Sequence, residues 1–238
     1  MEPTELGRRL AAISHQLFTL ADRAEDLLDS SQALTSGRLE LAADSPHLVM
    51  PLLARMRERY PGVRINLRLG NTQETLTALH GERVDLALVS DIAPRAGLHL
   101  LPLGEARLCL LLPAAHPWVG SREEVALHEL RGEVLLQREP GSLTRRTFER
   151  ACASQELELP AELELNSREA VIEAVAAGIG VSIIYAQEAP KDPRVKVLPL
   201  KGQGLVSRHF LACQQRHAEL RVVKAFFEVA GDVGYPSL

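Results

Sequence analysis

The sequence has few of the residues that mark disulfide frameworks, nucleic-acid grooves or membrane spans. Its three cysteines, Cys109, Cys152 and Cys213, are an odd number without CxxC spacing, so neither a disulfide framework nor a zinc site is indicated. Aromatic residues make up only 4%, which leaves little stacking surface for single-stranded nucleic acid. The longest uninterrupted apolar run, Leu108 to Leu112, is far too short to cross a bilayer. The N-terminal MEPTELGRRL has no apolar signal core, so we expect a cytoplasmic protein.

The charge balance disfavours nucleic-acid binding by this chain itself. The formal net charge is −4 and the pI is near 6.1, so no broad basic surface is indicated. With 46% hydrophobic and 24% charged residues, the 238-residue chain has a globular composition and enough length for one large or two smaller domains. Cys109 falls in an apolar strand-like run and Cys152 in a helix-like one, which favours inert packing over redox sensing.

A strand, a polar turn and an amphipathic helix follow one another between Gly37 and Pro61. Alternation of Leu39, Leu41 and Ala43 with polar or small residues predicts the strand. The turn Asp44-Ser45-Pro46-His47 can cap a helix whose apolar residues recur at the spacing of one buried face. A strand that feeds a helix N-terminus gathers backbone N–H groups at one spot, which makes this turn a candidate anion site.

Residues 5–29 are predicted to form one long helix with a heptad seam. Its apolar residues step by alternating four and three, and they are Leu6, Leu10, Ile13, Leu17, Leu20, Ala24 and Leu27. Such a seam favours pairing with the same helix of a second subunit, while a surface helix on its own domain core is the alternative.

Further strands and helices alternate after the opening unit. Strands near residues 63–69 and 84–89, with a helix beginning at Asn71 or Thr72, predict a parallel βαβαβ arrangement. The turns at Ser45, Thr72 and Ser90 should therefore open on one edge of the sheet.

A second αβ set is predicted from residue 107 onward. Strands are expected at 134–137, 161–165 and 181–184, with helices that begin near Ser142 and near Asn166 or Ser167. Leu98 to Leu103 is expected to cross between the sets. The fold class predicted is α/β, with two Rossmann-like lobes joined by two crossover segments and preceded by the long N-terminal helix.

Enzyme motifs are absent from the sequence. It contains no GxSxG, HExxH or P-loop, and Gly178-Ile179-Gly180 falls at a helix end instead of before a helix start. We therefore expect no catalytic activity, no cofactor and no metal. Without catalysis, a two-lobed protein of this class binds a small ligand, either as a sensor or as a stand-alone cytoplasmic solute-binding protein. The predicted pairing of the N-terminal helix favours the sensor.

Several segments resemble the bacterial LysR-type transcriptional regulators in the family order. They are TELGRRL, MPLLARMRERYPGVRINLRLGN, LHGERVDLALVS, REPGSLTRRTFE and VAAGIGVSII, and together they cover essentially the whole chain. The resemblance is to the effector-sensing domain, which has the type II periplasmic-binding-protein fold. It implies a linker helix at 1–36, one lobe at 37–104 and 212–238, and a second lobe at 105–211.

The resemblance also implies partners. Family members carry a winged helix-turn-helix domain before the linker helix, and only its last few residues are matched here, so DNA binding is expected through a domain absent from this chain. A homodimer or homotetramer and a small-molecule effector are expected, with no membrane partner. An effector would shift the population between two arrangements of the lobes.

The family would place its effector in the cleft between the lobes, at the predicted loop ends. The candidate residues are Ser45, His47, Thr72, Ser90, Ser142, Thr144, Arg145 and Asn166. We expect a small organic anion at the helix N-termini near Ser45 and Ser142, with Arg145 as a charged donor. Asp91 could receive an ammonium group, so an amino-acid-like effector is the alternative. The competing interpretation is that Ser45, Thr72, Ser142 and Asn166 are ordinary helix N-caps.

Overall fold

The computed structural model describes residues 4, 6, 7, 10, 13, 14, 17, 18, 21, 34 and 36–233. In chain order its strands are β1 (Gly37–Ala43), β2 (Val63–Leu69), β3 (Leu86–Ser90), β4 (Leu98–Pro113), β5 (Val125–Ala126), β6 (Leu135–Arg138), β7 (Leu163–Leu165), β8 (Val181–Tyr185), β9 (Val195–Lys201) and β10 (Val206–Gln214). Its helices are α1 (Pro46–Arg59), α2 (Thr72–His80), α3 (Leu143–Ala153), α4 (Arg168–Ala176) and α5 (Arg221–Val233). The chain forms two units, the first up to Gly104 and again from Arg208, the second over Glu105–Ser207. It leaves the first unit within β4 and returns within β10.

The sheet of the first unit has the strand order β2-β1-β3-β10. β1 pairs in parallel with both β2 and β3, whereas β10 runs antiparallel to β3. The predicted parallel βαβαβ arrangement is therefore confirmed. The carboxyl ends of β1 and β3 lie side by side, and the loops that follow them open on one edge of the sheet.

Helices cover both faces of this sheet. Leu39 and Leu41 point to one face and pack in a core with Leu52 of α1 and Phe226 of α5, all of them fully buried. On the other face Ala42 packs with Leu79 of α2 and with residues of β3 and β10. The alternation of side chains along β1 thus puts the two helix layers on opposite sides of the sheet.

The second unit repeats the strand-helix alternation with a different sheet order. β6 pairs in parallel with β7 and β8, β8 pairs antiparallel with β4, and β4 pairs antiparallel with β9. Phe148 of α3 packs in one core with Leu108 and Leu110, whereas Val175 of α4 packs on the other face with Leu111. Each unit therefore has its own hydrophobic core.

The structure corrects some boundaries. The predicted crossover at 98–103 and the start of the second set at residue 107 belong to one continuous strand, β4. The short β5 strand and the 3₁₀ turn at Leu127–Leu130 were not predicted. Within the described residues, no helix is both long and apolar enough to span a bilayer.

The predicted N-terminal helix is described only at scattered positions. Leu6, Leu10, Ile13 and Leu17 are helical and 59–76% exposed. Leu20, Ala24 and Leu27 lie outside the described residues. The continuous helix and its pairing stay predictions.

Candidate functional site

In the first unit, polar side chains gather around Asp44 at the carboxyl edge of the sheet. Asp44 directly follows β1 and is 9% exposed. The Thr72 hydroxyl donates to Asp44 Oδ2 over 2.7 Å, and Ser90 Oγ lies 3.5 Å from Asp44 Oδ1. Ser45 is the next residue along the chain and is 3% exposed. The predicted residues Ser45, Thr72 and Ser90 are thus brought together, with a carboxylate at their centre.

A histidine completes this cluster. His209 lies opposite Ser90 in the β10–β3 register, and its Nδ1 is 2.7 Å from Ser90 Oγ. Burial lowers the pKa of His209 to about 4, an effect that nearby Asp91 partly opposes, so the ring is neutral near pH 7. If Nδ1 carries the proton and donates it to Ser90, the Ser90 hydroxyl proton is left to donate to Asp44.

Neither Ser45 nor Thr72 supplies a side-chain cap hydrogen bond to its helix. Asn71, not Thr72, caps α2, and it forms a capping box with Glu74. Ser45 occupies the N-cap position of α1 without a side-chain cap hydrogen bond, and half-buried His47 lies in the first turn of that helix. Local capping therefore does not account for Ser45 or Thr72.

In the second unit, the N-terminus of α3 has no side-chain cap. Ser142 occupies the N-cap position, but its hydroxyl makes no cap hydrogen bond, and no acidic residue lies in the first turn. Ser142 is 3% exposed and Thr144 8% exposed. Among the described residues neither hydroxyl has a hydrogen-bond partner, and neither oxygen is sealed from solvent. The first-turn N–H groups of α3 therefore lie next to two hydroxyls that make no hydrogen bond to the described residues.

The backbone fixes this turn firmly. The Ser142 N–H donates to the Glu139 carbonyl over 3.0 Å, and the Ser142 carbonyl accepts the Arg146 N–H over 3.2 Å. The Glu139 carboxylate is itself paired with the Arg138 guanidinium at 2.8 Å and 3.0 Å. Ser142 is therefore held in place by backbone bonds that leave its side chain uncommitted.

Arg145 is largely engaged by the protein. Its Nε donates to Glu149 over 2.7 Å, and its Nη1 donates to Glu164 over 2.5 Å and to the Arg138 carbonyl over 3.0 Å. These two carboxylates raise the pKa of Arg145. The guanidinium thus ties α3 to β7 and to the end of β6, and its charge is offset by two carboxylates.

Asn166 directly follows β7, the strand that pairs in parallel with β6. It is exposed, and the next residue, Ser167, caps α4 by accepting the Ala170 N–H over 3.0 Å. Among α1–α4, the helices with a side-chain cap are α2 and α4, whereas α1 and α3 have none.

Sequence reasoning overlooked Asp44 and His209 as site residues. The position of Asp44 at the end of β1 was a usable signal, because it falls in the same turn as Ser45. The contact of His209 with Ser90 joins residues 119 positions apart and depends on how β10 pairs. No local pattern indicates that pairing.

Comparison with known proteins identifies a family. A family model described as the LysR substrate binding domain matches residues 32–234. The HTH-type transcriptional activator CmpR of Synechocystis is 29% identical over 230 residues, which cover 94% of this chain and 75% of CmpR. The first curated relatives are matched over 59% to 75% of their own length.

Solved structures share the fold. The Synechocystis CcmR regulatory domain in complex with 2-PG superposes with a TM-score of 0.76 at 22% identity, covering 84% of this chain and 98% of that domain. The QuiR effector-binding domain in complex with shikimate gives a TM-score of 0.74 at 20% identity, with the same coverage. At these levels of identity, the two superpositions show that this chain shares the fold of those domains.

Proposed function

The chain belongs to the LysR substrate-binding-domain family of transcriptional regulators, and from that premise we propose that it senses a small organic anion for a cytoplasmic regulator of this type. The anionic group is proposed to bind at the N-terminus of α3. DNA binding would belong to the whole regulator. The observation that carries the proposal is the pair of uncommitted hydroxyls of Ser142 and Thr144 at an uncapped helix start.

The chemistry of this helix start suits an anion. The N–H groups of Leu143, Thr144 and Arg145 precede the first intrahelical bond, which is made by Arg146, and the helix dipole adds a partial positive charge. Hydrogen bonds to a charged group contribute about 1.5–3 kcal/mol each. An anion would therefore take up donors that no side chain of α3 satisfies.

The ligands of similar structures support an organic acid. CcmR is described with 2-PG and QuiR with shikimate, and shikimate carries a carboxylate. We extend the same class to this chain. Ser45, His47, Thr72 and Ser90 of the first unit and Arg145 and Asn166 of the second remain proposed contacts.

Substitution at α3 tests the site. Ser142→Ala and Thr144→Val remove the two hydroxyls, and Ser167→Ala serves as the matched control because its hydroxyl caps α4 instead. Calorimetric titration with inorganic phosphate and with a panel of organic acids should show weaker binding in the first two variants and unchanged binding in the control. Equal affinity in all four proteins would contradict the proposal.

We also propose that two copies of the chain pair through the N-terminal seam. The exposed, helical Leu6, Leu10, Ile13 and Leu17 support it, because such side chains gain by burial against a second helix.

A further inference from the structure

We infer that Arg146 is the charged donor of the anion site at the start of α3, a role for which the sequence had indicated Arg145. Its guanidinium would pair with an oxyanion of the ligand, a carboxylate or a phosphate. The inference rests on the proposed function and deepens it, because it names the residue that recognises the charge of the ligand. Every residue that carries it lies in the second unit.

The two adjacent arginines of α3 differ in their partners. Arg145 is held by Glu149 and Glu164, which offset its charge. The Arg146 guanidinium, by contrast, makes no hydrogen bond or ion pair with any described residue, and Arg146 is half-buried. A half-buried guanidinium has lost part of its hydration, and an opposite charge would compensate for that loss. Arg146 is therefore the arginine of this pair that is available to a ligand.

The local charge balance leaves Arg146 uncompensated. The Glu139 carboxylate is paired with the Arg138 guanidinium, and the two carboxylates that contact Arg145 are committed to it. No acidic residue lies in the first turn of α3. The charge of Arg146 thus adds to the positive end of the helix dipole, and an anion would meet both.

Helix geometry lets Arg146 reach the unused hydroxyls. Its N–H donates to the Ser142 carbonyl over 3.2 Å, which places the two residues one turn apart on the same side of α3. Helical side chains lean toward the N-terminus of their helix, so the long Arg146 side chain can extend back over the turn that holds Ser142.

The hydroxyls of this turn are independent evidence for a ligand. Ser142 is 3% exposed and Thr144 8% exposed, and neither hydroxyl has a hydrogen-bond partner among the described residues. Buried polar groups are normally hydrogen-bonded, so two such hydroxyls at one turn indicate a missing partner. An oxyanion fits that partner, because it can accept from the hydroxyls, from the first-turn N–H groups and, in parallel bonds, from a guanidinium.

Titration of inorganic phosphate into matched variants tests the inference. Calorimetry compares the wild type with Arg146→Gln, Arg146→Lys and Arg150→Gln, and urea denaturation checks that each variant is folded. Arg150→Gln is the matched control, because exposed Arg150 lies one turn further along α3 and its replacement removes the same charge. Should Arg146→Gln fail to fold, Arg146→Met replaces it, because methionine keeps more of the apolar stem.

We expect Arg146→Gln to weaken phosphate binding by about tenfold or more, because it removes a charged donor. Arg146→Lys should bind with intermediate affinity, since it keeps the charge but not the planar pair of donors. Arg150→Gln should bind within about twofold of the wild type, because salt at about 0.15 M screens charges beyond about 8 Å. Phosphate affinity should also depend less on salt concentration in Arg146→Gln than in the wild type, which a purely structural role would not produce.

Unchanged affinity in Arg146→Gln, or an equal loss in Arg150→Gln, would contradict the inference. Ser142→Ala, titrated in parallel, separates this result from the proposed function. Weaker binding in Ser142→Ala with unchanged binding in Arg146→Gln upholds the α3 site and removes Arg146 from it. Weaker binding in Arg146→Gln with unchanged binding in Ser142→Ala contradicts the α3 hydroxyl site and keeps Arg146 as a phosphate donor. A wild type that binds no phosphate contradicts both.

Discussion

Thr72 and Asp44 join α2 to the end of β1 through a hydrogen bond of 2.7 Å between Thr72 Oγ1 and Asp44 Oδ2. Thr72 is 3% exposed, so solvent cannot readily replace the hydroxyl. The bond fixes the start of α2 beside the start of α1, and this places both helix N-termini at the same sheet edge.

Removing that hydroxyl should destabilise the fold. Thr72→Val keeps the shape but leaves the Asp44 carboxylate without this donor, so we expect a loss of about 1.5–3 kcal/mol in the free energy of unfolding. Urea denaturation measures the loss. Thr77→Val is the control, because exposed Thr77 donates to the Gln73 carbonyl on the helix surface, and equal losses in both variants would contradict the account.

His209 should make stability depend on pH. Its folded pKa of about 4 lies below the unfolded value, so the unfolded chain takes up the proton first as the pH falls. The unfolded pKa is about 6.5. As the pH falls from about 6.5 to about 4, the free energy of unfolding should decrease by about 3 kcal/mol in all.

His209→Gln removes the titrating group and should flatten this part of the stability profile between about pH 7 and about pH 4. Denaturation curves across that range provide the comparison, with exposed His80→Gln as the control. A His209→Gln profile parallel to that of the wild type would show that another group carries the dependence.

The three cysteines should resist alkylation in the folded protein. Burial raises the pKa of Cys109, that of Cys152 to about 11 and that of Cys213 to about 12, so almost no thiolate forms near pH 8. Iodoacetamide labelling followed by mass spectrometry should mark all three in urea and none without it. Rapid labelling of a native thiol would contradict the inert role inferred from the sequence.

The N-terminal seam should control assembly. Leu10→Glu and Leu17→Glu place charges at two seam positions that are 62% and 63% exposed in a single chain. If these positions pair two subunits, sedimentation should show a dimer or larger species for the wild type and a smaller one for the variants. By sequence spacing His15 is not one of the predicted seam positions, so His15→Glu should leave assembly intact. A monomeric wild type would rule out the proposed pairing.

Much of the fold could be predicted because its patterns are local. The alternation of Leu39 and Leu41 and the helical spacing of Leu48 and Leu52 each reflect burial on one face, so strand and helix follow from periodicity alone. Parallel order then puts Thr72 and Ser90 at one edge, as the structure shows. Boundaries were less accurate, since Asn71 and Thr72 are both plausible caps by residue type.

The site was less predictable because its side-chain contacts join residues that are far apart in the sequence. The sequence indicated that Ser90 lies at a strand end, but not that Asp44 and His209 would contact its hydroxyl. It indicated Arg145 as a charged donor, but not that Glu149 and Glu164 would engage it. Such pairings depend on how distant segments pack together, and the periodicity of a sequence does not indicate that packing.

The most direct test of the α3 site is an amide NMR titration of the isotope-labelled protein with inorganic phosphate and with the organic acid that binds best. We expect saturable shifts of the Leu143, Thr144 and Arg145 amide resonances, because these N–H groups would donate to the bound anion. In Ser142→Ala the same shifts should require a higher ligand concentration, and in Ser167→Ala they should follow the wild-type titration. Saturable binding that leaves all three resonances unmoved would contradict the central claim.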